Sequence, residues 1–200
     1  KIKSPANLAT VIGALKSDGK VVVQCHGVFD VIHPGHIRHL EAAKRAGDIL
    51  VVSITADSFV NKGPGRPVFN QQLRAEFLSA VQCVDFVVIN EASTAIELIK
   101  LIKPSLYVKG SDYKDRTKDL TGRIYDEEDA VTSVGGNIYF TDEITFSSSQ
   151  LINSHFNVFP PETELWLRQF RVKHSIDEVL SFIAKTSSLS VLIVGEAIID

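Results

Sequence analysis

The sequence lacks the features of a membrane or secreted protein. It has no apolar run near the roughly 18 residues that a membrane-spanning helix needs. It does not open with the basic segment and apolar core of a secretory leader, so we expect a cytoplasmic protein with no membrane partner. Only two cysteines occur, Cys25 and Cys83, each in an apolar stretch far from the other. We interpret them as buried thiols of a reducing compartment.

Positive charge and two common nucleotide-binding motifs are also scarce or missing. The formal net charge is -3, so the chain offers no basic field for a nucleic-acid backbone, and any phosphate site must be local. No Gly-x-Gly-x-x-Gly follows the first strand pattern, which argues against a dinucleotide enzyme or an electron-transfer flavoprotein. The glycine-containing segment 62–67 is not a Walker A loop, because no Gly-Lys-Ser/Thr follows it.

What the chain contains is a regular alternation of strand and helix patterns. After an N-terminal helix, the predicted strands are 20–25, 49–54, 84–89, 105–109 and 137–141, and the predicted helices between them are 34–46, 71–81, 93–102 and about 123–134. This alternation implies right-handed crossovers and a parallel sheet. We predict an α/β fold, a Rossmann-like doubly wound parallel sheet of about five strands with a C-terminal helical extension. The turns after strands 20–25, 49–54 and 105–109 should then line one crevice.

The most informative stretch is residues 27–36, which follows the first predicted strand and opens a helix at Pro34. A helix start presents free backbone N–H groups and a positive dipole end, where phosphates bind. The imidazoles of His33 and His36 add donors that a phosphoryl group can use. Gly35 has no side chain, so a ligand can approach the backbone closely.

Two other interpretations of these histidines are less favoured. They could be ordinary solvated side chains at a helix start. His33, His36 and His39 could also bind zinc, because they repeat every three residues. That spacing drifts around a helix, and no cysteine or carboxylate lies at ligand spacing nearby.

The ordered motifs resemble a known family. Gly27-Val28-Phe29-Asp30 followed by His33-Pro34-Gly35-His36 resembles the signature of the cytidylyltransferase-like nucleotidyltransferases. Later segments look closest to the heptose-1-phosphate adenylyltransferase branch, and these are Lys62-Gly63-Pro64-Gly65-Arg66-Pro67, Arg74-Ala75-Glu76, Cys83-Val84-Asp85-Phe86-Val87-Val88 and Val108-Lys109-Gly110-Ser111-Asp112-Tyr113. Together the matches span residues 20 to 153.

The resemblance implies an enzyme that transfers a nucleoside monophosphate from ATP to a sugar 1-phosphate similar to a heptose phosphate, with release of pyrophosphate. The alternatives are a CTP-dependent enzyme acting on a polyol or amino-alcohol phosphate, and a non-catalytic nucleotide-sensing module of a kinase fusion. Mg²⁺ is the expected cofactor, bridging the phosphates of the nucleotide. The family leads us to expect a homodimer and no nucleic-acid partner.

The resemblance also implies roles for individual residues. His33 and His36 would hold the α-phosphate and its transition state, and Lys62 and Arg74 complete the predicted catalytic set. Asp30, with Lys62 and Arg66, is predicted to bind the acceptor substrate, and Asp30 could orient a histidine or an acceptor hydroxyl, or bind the metal. The predicted nucleotide-binding residues are Gly27, Val28, Phe29, His36, Lys109, Gly110, Asp112, Ser147, Ser148 and Ser149.

Two of these segments bear on the nucleotide. Gly-Ser-Asp-Tyr at 110–113 is nearer the Gly-Gly-Asp-Tyr of adenylyl relatives than the Gly-Asp-Asp-Trp of cytidylyl relatives, which favours ATP over CTP. The serines at 147–149 begin a predicted helix and would bind the β- and γ-phosphates, although a simple serine N-cap is the alternative. The charged segment 114–123 is either an acceptor-side lid, a dimer contact or a solvated loop.

The C-terminal part changes in character. We predict a nucleotidyltransferase domain at 1–157, a helical linker at 158–187 with helices at 162–173 and 175–185, and a last segment at 188–200. The apolar strand pattern of 191–196 and the ending Ile199-Asp200 resemble the first strand of a ribokinase-like sugar kinase, of which the chain holds only the start. Heptose enzymes usually carry the kinase first, so this order would be reversed.

Overall fold

The computed structural model describes residues 1–63, 65–110, 123–141 and 159–190. The chain divides into two compact units, Lys1–Phe156 and Asn157–Asp200. The predicted helix from Ser147 and the predicted strand at 191–196 lie outside the described residues.

Six strands form one parallel sheet in the first unit, in the order β1-β4-β3-β2-β5-β6. Their bounds are β1 Ile2–Lys3, β2 Val22–Gly27, β3 Ile49–Thr55, β4 Phe86–Asn90, β5 Leu106–Gly110 and β6 Asn137–Thr141. The predicted α/β class and the Rossmann-like parallel sheet are confirmed. β1 was not predicted, because two residues paired with Val87 and Val88 give no recognisable period.

The helices of this unit are α1 Pro5–Ser17, α2 Pro34–Arg45, α3 Gln71–Ala80, α4 Ile96–Ile102 and α5 Arg123–Ser133. A 3-10 turn at Asp57–Phe59 follows β3. Strand β2 was predicted two residues too early, and helix α4 starts later than the predicted position 93. These differences lie at element ends, where local sequence determines the boundary least.

Helices cover both faces of the sheet, which explains the nearly continuous apolar sequence of β2 and β3. On one face, Leu40 of α2 and Leu78 of α3 pack with the core that contains Val23 and Val52. On the other face, α1 and α4 pack on Val22, Val51 and Val88, with the helix residues Leu8, Ile12, Leu98 and Ile102. Alternate residues of each central strand therefore enter different cores.

The two cysteines are free thiols. Cys25 is fully buried in β2, and burial raises the pKa of its thiol far above the ordinary value. Cys83 is only partly buried, so the prediction of two buried thiols is correct for the first of them alone.

The order of the strands determines where the site lies. In the sheet, β2 lies between β3 and β5, and the chain passes from β2 through α2 to β3. The direction of winding reverses beside β2, and ligands in open parallel sheets bind at such a reversal, outside the carboxyl ends of the strands. Gly27, Thr55 and Gly110 end the three central strands at this edge.

The second unit contains two described helices, α6 Pro161–Lys173 and α7 Ile176–Thr186, close to the predicted ranges 162–173 and 175–185. Ser175 caps α7, because its hydroxyl accepts a hydrogen bond from the Glu178 backbone N–H at 3.2 Å. Within the described ranges, no helix of either unit has the length and apolar character to cross a bilayer.

Gly136→Ala should destabilise the sheet edge formed by β5 and β6. A Cβ at Gly136 would overlap the backbone carbonyl oxygen of Pro104, which cannot rotate away as a side chain can. Overpacking of this kind lowers the free energy of unfolding by about 1–3 kcal/mol. Urea denaturation followed by circular dichroism measures the change.

Gly13→Ala is the matched control, because a Cβ at this position in α1 meets nothing within 4 Å. It should raise the free energy of unfolding by about 0.5–1 kcal/mol through helix propensity. Equal unfolding midpoints for the two alanine variants would contradict the packing that we describe.

Candidate active site

The turn between β2 and α2 adopts an unusual backbone conformation at Phe29. Its φ is 49°, in the left-handed region, which costs a non-glycine residue roughly 1–2 kcal/mol. The Phe29 side chain is only 7% exposed, and a Cβ on Gly27 would lie 3.1 Å from the Phe29 Cε2 atom. Glycine at 27 therefore leaves room for the ring. The centroid of that ring lies 5.2 Å from the centroid of the His36 imidazole.

His33 and His36 lie together at the start of α2. His33 is the N-cap residue, and its carbonyl accepts from the backbone N–H groups of His36 at 2.9 Å and Ile37 at 3.2 Å. The two imidazole rings are stacked, with centroids 3.9 Å apart and an interplanar angle of 24°. The sequence prediction that these two side chains share the helix start agrees with this arrangement.

Both imidazoles are held in the neutral form. Burial lowers the pKa of His36 to about 3, assisted by the charges of His33, His39 and Lys62 and opposed by a hydrogen bond with the Val31 backbone. Burial also lowers the pKa of His33. At neutral pH each ring therefore carries one N–H donor and no net charge.

Asp30 holds the loop that follows the 3-10 turn. Its carboxylate is 1% exposed and pairs with Arg66 Nε at 2.5 Å. The other carboxylate oxygen accepts from the backbone N–H groups of Val68 at 2.6 Å and Phe69 at 3.4 Å. Sequence reasoning predicted that Asp30 would bind the acceptor substrate, orient a histidine or an acceptor hydroxyl, or bind the metal. In the structure both carboxylate oxygens anchor residues 66–69.

Lys62 brings positive charge to His36, and Arg66 brings positive charge to Lys62. The Arg66 side chain is 3% exposed, and its Nη2 is a buried donor with no acceptor among the described residues. Partial burial, and then the charge of Arg66, lower the pKa of Lys62, while Asp30 opposes the shift. Lys62 in turn contributes to the lowered pKa of His36. The predicted cation Lys62 therefore lies within electrostatic reach of His36, and Arg66 lies within reach of Lys62.

Arg74 was predicted to supply a cation for the phosphates as part of the catalytic set, and the structure shows its guanidinium bound to protein acceptors. The residue is fully buried on α3. Its guanidinium donates to the carbonyls of Val28 at 2.5 Å, Phe69 at 3.0 Å and Thr55 at 2.8 Å, and to Asp57 Oδ1 at 2.6 Å. These acceptors occupy four of the five N–H donors of the side chain.

Lys109 was predicted to bind the nucleotide through the end of β5. Its ammonium instead pairs with Glu127 Oε2 on α5 at 2.6 Å, and the two side chains are only 10% and 6% exposed. The Lys109 carbonyl accepts from Thr141 Oγ1 at 3.4 Å, and the same hydroxyl lies 2.8 Å from His39 Nδ1. Gly110, the other described residue of this predicted set, ends β5.

Several residues of the region were missed by sequence reasoning. Asp57 follows β3 by two residues, and the rule that sites collect at carboxyl strand ends could have indicated it. His26, near the end of β2, is buried with a pKa lowered to about 3, and its Nδ1 lies 2.9 Å from Ser53 Oγ. Glu127 is one of four consecutive acidic residues, and nothing local shows which of them is buried.

The remaining predicted nucleotide-binding residues lie outside the described residues: Asp112, Ser147, Ser148 and Ser149. The segment 114–122 is likewise outside them. A cleft of about 480 Å³ borders the start of α2 and is lined by Ile32, His33, Pro34, Ile37, Arg38 and Glu41.

The site does not resemble a metal centre. In the part of the chain that the structure describes, no group of three or more histidine, cysteine or acidic side chains converges as metal ligands would. His39 contacts Thr141 through Nδ1, whereas His33 and His36 stack on each other. The alternative interpretation of the three histidines as zinc ligands is therefore not supported.

Comparison with protein-family models gives a match that covers most of the first unit. The cytidylyltransferase-like model matches residues 24–154. This range includes the turn, both histidines and the loop anchored by Asp30.

Curated relatives point in the same direction. The chain is 38% identical over 144 residues to the bifunctional protein HldE of Syntrophotalea carbinolica, covering 71% of this chain and 28% of the relative. It is 44% identical over 138 residues to HldE of Aliarcobacter butzleri, covering 68% and 29%. For HldE of Campylobacter jejuni the identity is 47% over 118 residues, covering 58% and 25%. The chain thus spans under a third of the length of these relatives.

Two solved structures share the fold. A lipopolysaccharide core biosynthesis protein from Thermoplasma volcanium superposes with a TM-score of 0.51 at 24% identity, covering 64% of this chain and 100% of that one. Pantoate-beta-alanine ligase from Francisella tularensis has a TM-score of 0.51 at 17% identity, covering 76% and 72%. At such identities the likeness establishes the architecture.

The stability of the fold should depend on pH through His36. Between the ordinary pKa of 6.5 and the lowered value, the unfolded chain binds a proton at this residue that the folded chain does not. The free energy of unfolding therefore decreases as the pH falls through this window, by at most about 1.4 kcal/mol per pH unit for one proton.

His36→Gln removes this contribution and leaves those of His26 and His33, which have the same sign. Urea denaturation of wild type and variant between about pH 6 and pH 5, above the range of most carboxylates, measures the two slopes. The variant should show the shallower slope. Identical slopes would mean that His36 titrates normally in the folded protein.

Proposed function

This chain belongs to the cytidylyltransferase-like family, and we propose that it transfers adenosine monophosphate from ATP to a sugar 1-phosphate of the heptose-phosphate kind, releasing pyrophosphate. The names and identities of the HldE relatives support a sugar-phosphate nucleotidyltransferase. Because those relatives are bifunctional and much longer, the proposal concerns this one reaction.

The observation that carries the proposal is the stacked pair His33 and His36 at the start of α2. Lys62 is close enough to lower the pKa of His36, and Arg66 is close enough to lower the pKa of Lys62. A helix N-terminus, neutral imidazole donors and two cations together make a site for several phosphate groups. Such a site stabilises the negative charge that develops when a phosphoanhydride bond breaks.

The reaction needs positioning more than proton transfer. An oxygen of the acceptor phosphate attacks the α-phosphorus of ATP, a new phosphoanhydride bond forms, and the bond to the β-phosphate oxygen breaks with pyrophosphate leaving. The acceptor phosphate is already an anion at neutral pH, so no general base has to generate the nucleophile. The two cations offset the repulsion between the acceptor phosphate and the triphosphate.

The neutral state of the histidines suits this role. Each ring donates one hydrogen bond to an oxygen of the α-phosphate, and the bond strengthens as charge builds there in the transition state. A bound triphosphate adds negative charge beside His36 and raises its pKa from the low value of the free protein.

Magnesium in this reaction would be carried by the nucleotide. The described residues do not fit a protein-held Mg²⁺, because the site offers imidazoles and cations, and the carboxylate of Asp30 is already bound to Arg66 and to Val68. Any Mg²⁺ would enter the site with the phosphates and would offset part of their negative charge.

His36→Ala should lower the rate of nucleotidyl transfer by about 10²–10³-fold, the usual effect of removing one transition-state donor. The assay follows pyrophosphate release from ATP with a panel of sugar 1-phosphates. His174→Ala is the matched control, because His174 lies in the second unit and contacts Glu178 there. Its rate should equal that of the wild type.

Thermal-shift titrations identify the nucleotide and show whether His36→Ala still folds. ATP at about 100 times its Kd should stabilise the wild type by roughly 2.7 kcal/mol. A shift with CTP in place of ATP would favour transfer of cytidylate to a polyol or amino-alcohol phosphate. Nucleotide binding by the wild type without any pyrophosphate release would favour a nucleotide-sensing module instead.

A further inference from the structure

Arg74 joins three separate segments of the site region. It is among the largest of the fully buried side chains in the described chain. Through its guanidinium, α3 is bonded to the β2–α2 turn at Val28, to the end of β3 at Thr55 and Asp57, and to the anchored loop at Phe69. A buried guanidinium is tolerated only when its donors are satisfied, so these contacts form one interdependent set.

The contact with Val28 acts on the strained residue of the turn. The Val28 carbonyl belongs to the peptide that leads into Phe29, and Arg74 holds that carbonyl at 2.5 Å. A left-handed non-glycine residue persists only where its surroundings fix it from more than one side. Here Arg74 holds the peptide before Phe29, and the buried carboxylate of Asp30 holds the residue after it.

The conformation of Phe29 affects the position of the His36 side chain. The Phe29 ring contacts the His36 imidazole, which in turn stacks on His33. A change in the Val28 peptide would rotate the ring and remove one wall of the space that His36 occupies. The chain of contacts therefore runs from Arg74 through Val28 and Phe29 to His36.

A second pair of contacts fixes the other side of Arg74. The Asp57 backbone N–H donates to Gln71 Oε1 at 2.9 Å, and Asp57 Oδ2 accepts from the Gln71 backbone N–H at 3.0 Å. Asp57 therefore ties the end of β3 to the start of α3 while it pairs with Arg74. This reciprocal link keeps the guanidinium aimed at the turn.

We propose that Arg74 is a positioning residue for nucleotidyl transfer: it locks the Val28–Phe29 peptide and thereby aims His36 at the α-phosphate, without touching a substrate. The proposal rests on the proposed function for the reaction that it serves. Direct phosphate contact would require this fully buried side chain to become accessible to a ligand.

A double-mutant cycle tests whether Arg74 acts through His36. Arg74→Lys keeps the charge but loses the planar fork that reaches several carbonyls at once. It should lower kcat by about 10–100-fold, as small misplacements of a catalytic group do, with the KM for ATP changed by less than about 3-fold. In the His36→Ala background the same change should lower kcat by less than about 3-fold, because residues that act as a unit are not additive.

Arg168→Lys is the matched control, an arginine-to-lysine change in the second unit where Arg168 pairs with Glu164 at the surface. It should leave kcat unchanged. An undiminished effect of Arg74→Lys in the His36→Ala background, or a large rise in the KM for ATP, would overturn the positioning role.

A measurement without catalysis separates this proposal from the proposed function. In protein with isotopically labelled histidine, NMR titration should show the His36 pKa rising from about 3 towards the ordinary value in Arg74→Lys. An unchanged His36 titration would overturn the proposal even in an active enzyme. The expected shift would support the link from Arg74 to His36 even if the wild type transferred no nucleotide.

If Arg74→Lys does not fold, Asp57→Asn is the variant that tests the same network of contacts. The Asp57 side chain is 37% exposed, so its change leaves the other three Arg74 contacts in place. It should give a smaller loss of kcat and a smaller shift of the His36 titration, both in the same direction. No change in either quantity would count against the proposal.

Discussion

The left-handed backbone of Phe29 is the constraint on which the site depends. Without it, the turn from β2 would not lay an aromatic ring beside the histidines at the start of α2. The sequence alone does not favour this conformation, because phenylalanine is not a residue that readily adopts positive φ. Two buried ionic groups stabilise it, Asp30 on the side of the 66–69 loop and Arg74 on the side of α3. The same turn therefore contributes to the stability of the fold and to the geometry of the candidate site.

Burial determines the charge state of the histidines in the site. Packing the imidazoles against each other and against Phe29 lowers the pKa of His36, which leaves neutral donors at the start of α2. Positive charge is supplied separately by Lys62 and by Arg66, whose Nη2 has no acceptor among the residues that the structure describes. In the proposed reaction the donors and the cations would act on different phosphate groups, because both substrates are phosphorylated. Neutral rings also avoid adding repulsion between the helix start and these cations.

The sequence predicted what depends on local pattern and missed what depends on distant partners. The alternation of strand and helix patterns predicted the parallel sheet, and the short spacing of His33 and His36 predicted that both lie at one helix start. The protein partners of Arg74 and Lys109 were not predicted, because a cation in a motif looks the same whether it faces a ligand or a buried acceptor. Thr55 and Glu127, which receive those cations, are far away in sequence. Burial of a charged side chain is a property of the folded packing, which no single motif displays.

The most direct test of the account is to follow which phosphorus of ATP is transferred. The protein is incubated with a sugar 1-phosphate and ATP labelled either at the α- or at the γ-phosphate, and the products are separated. Our account predicts that the α-label enters the sugar nucleotide while the γ-label leaves as pyrophosphate. Transfer of the γ-label to the sugar by this chain would contradict the account, because it would show phosphoryl rather than nucleotidyl transfer.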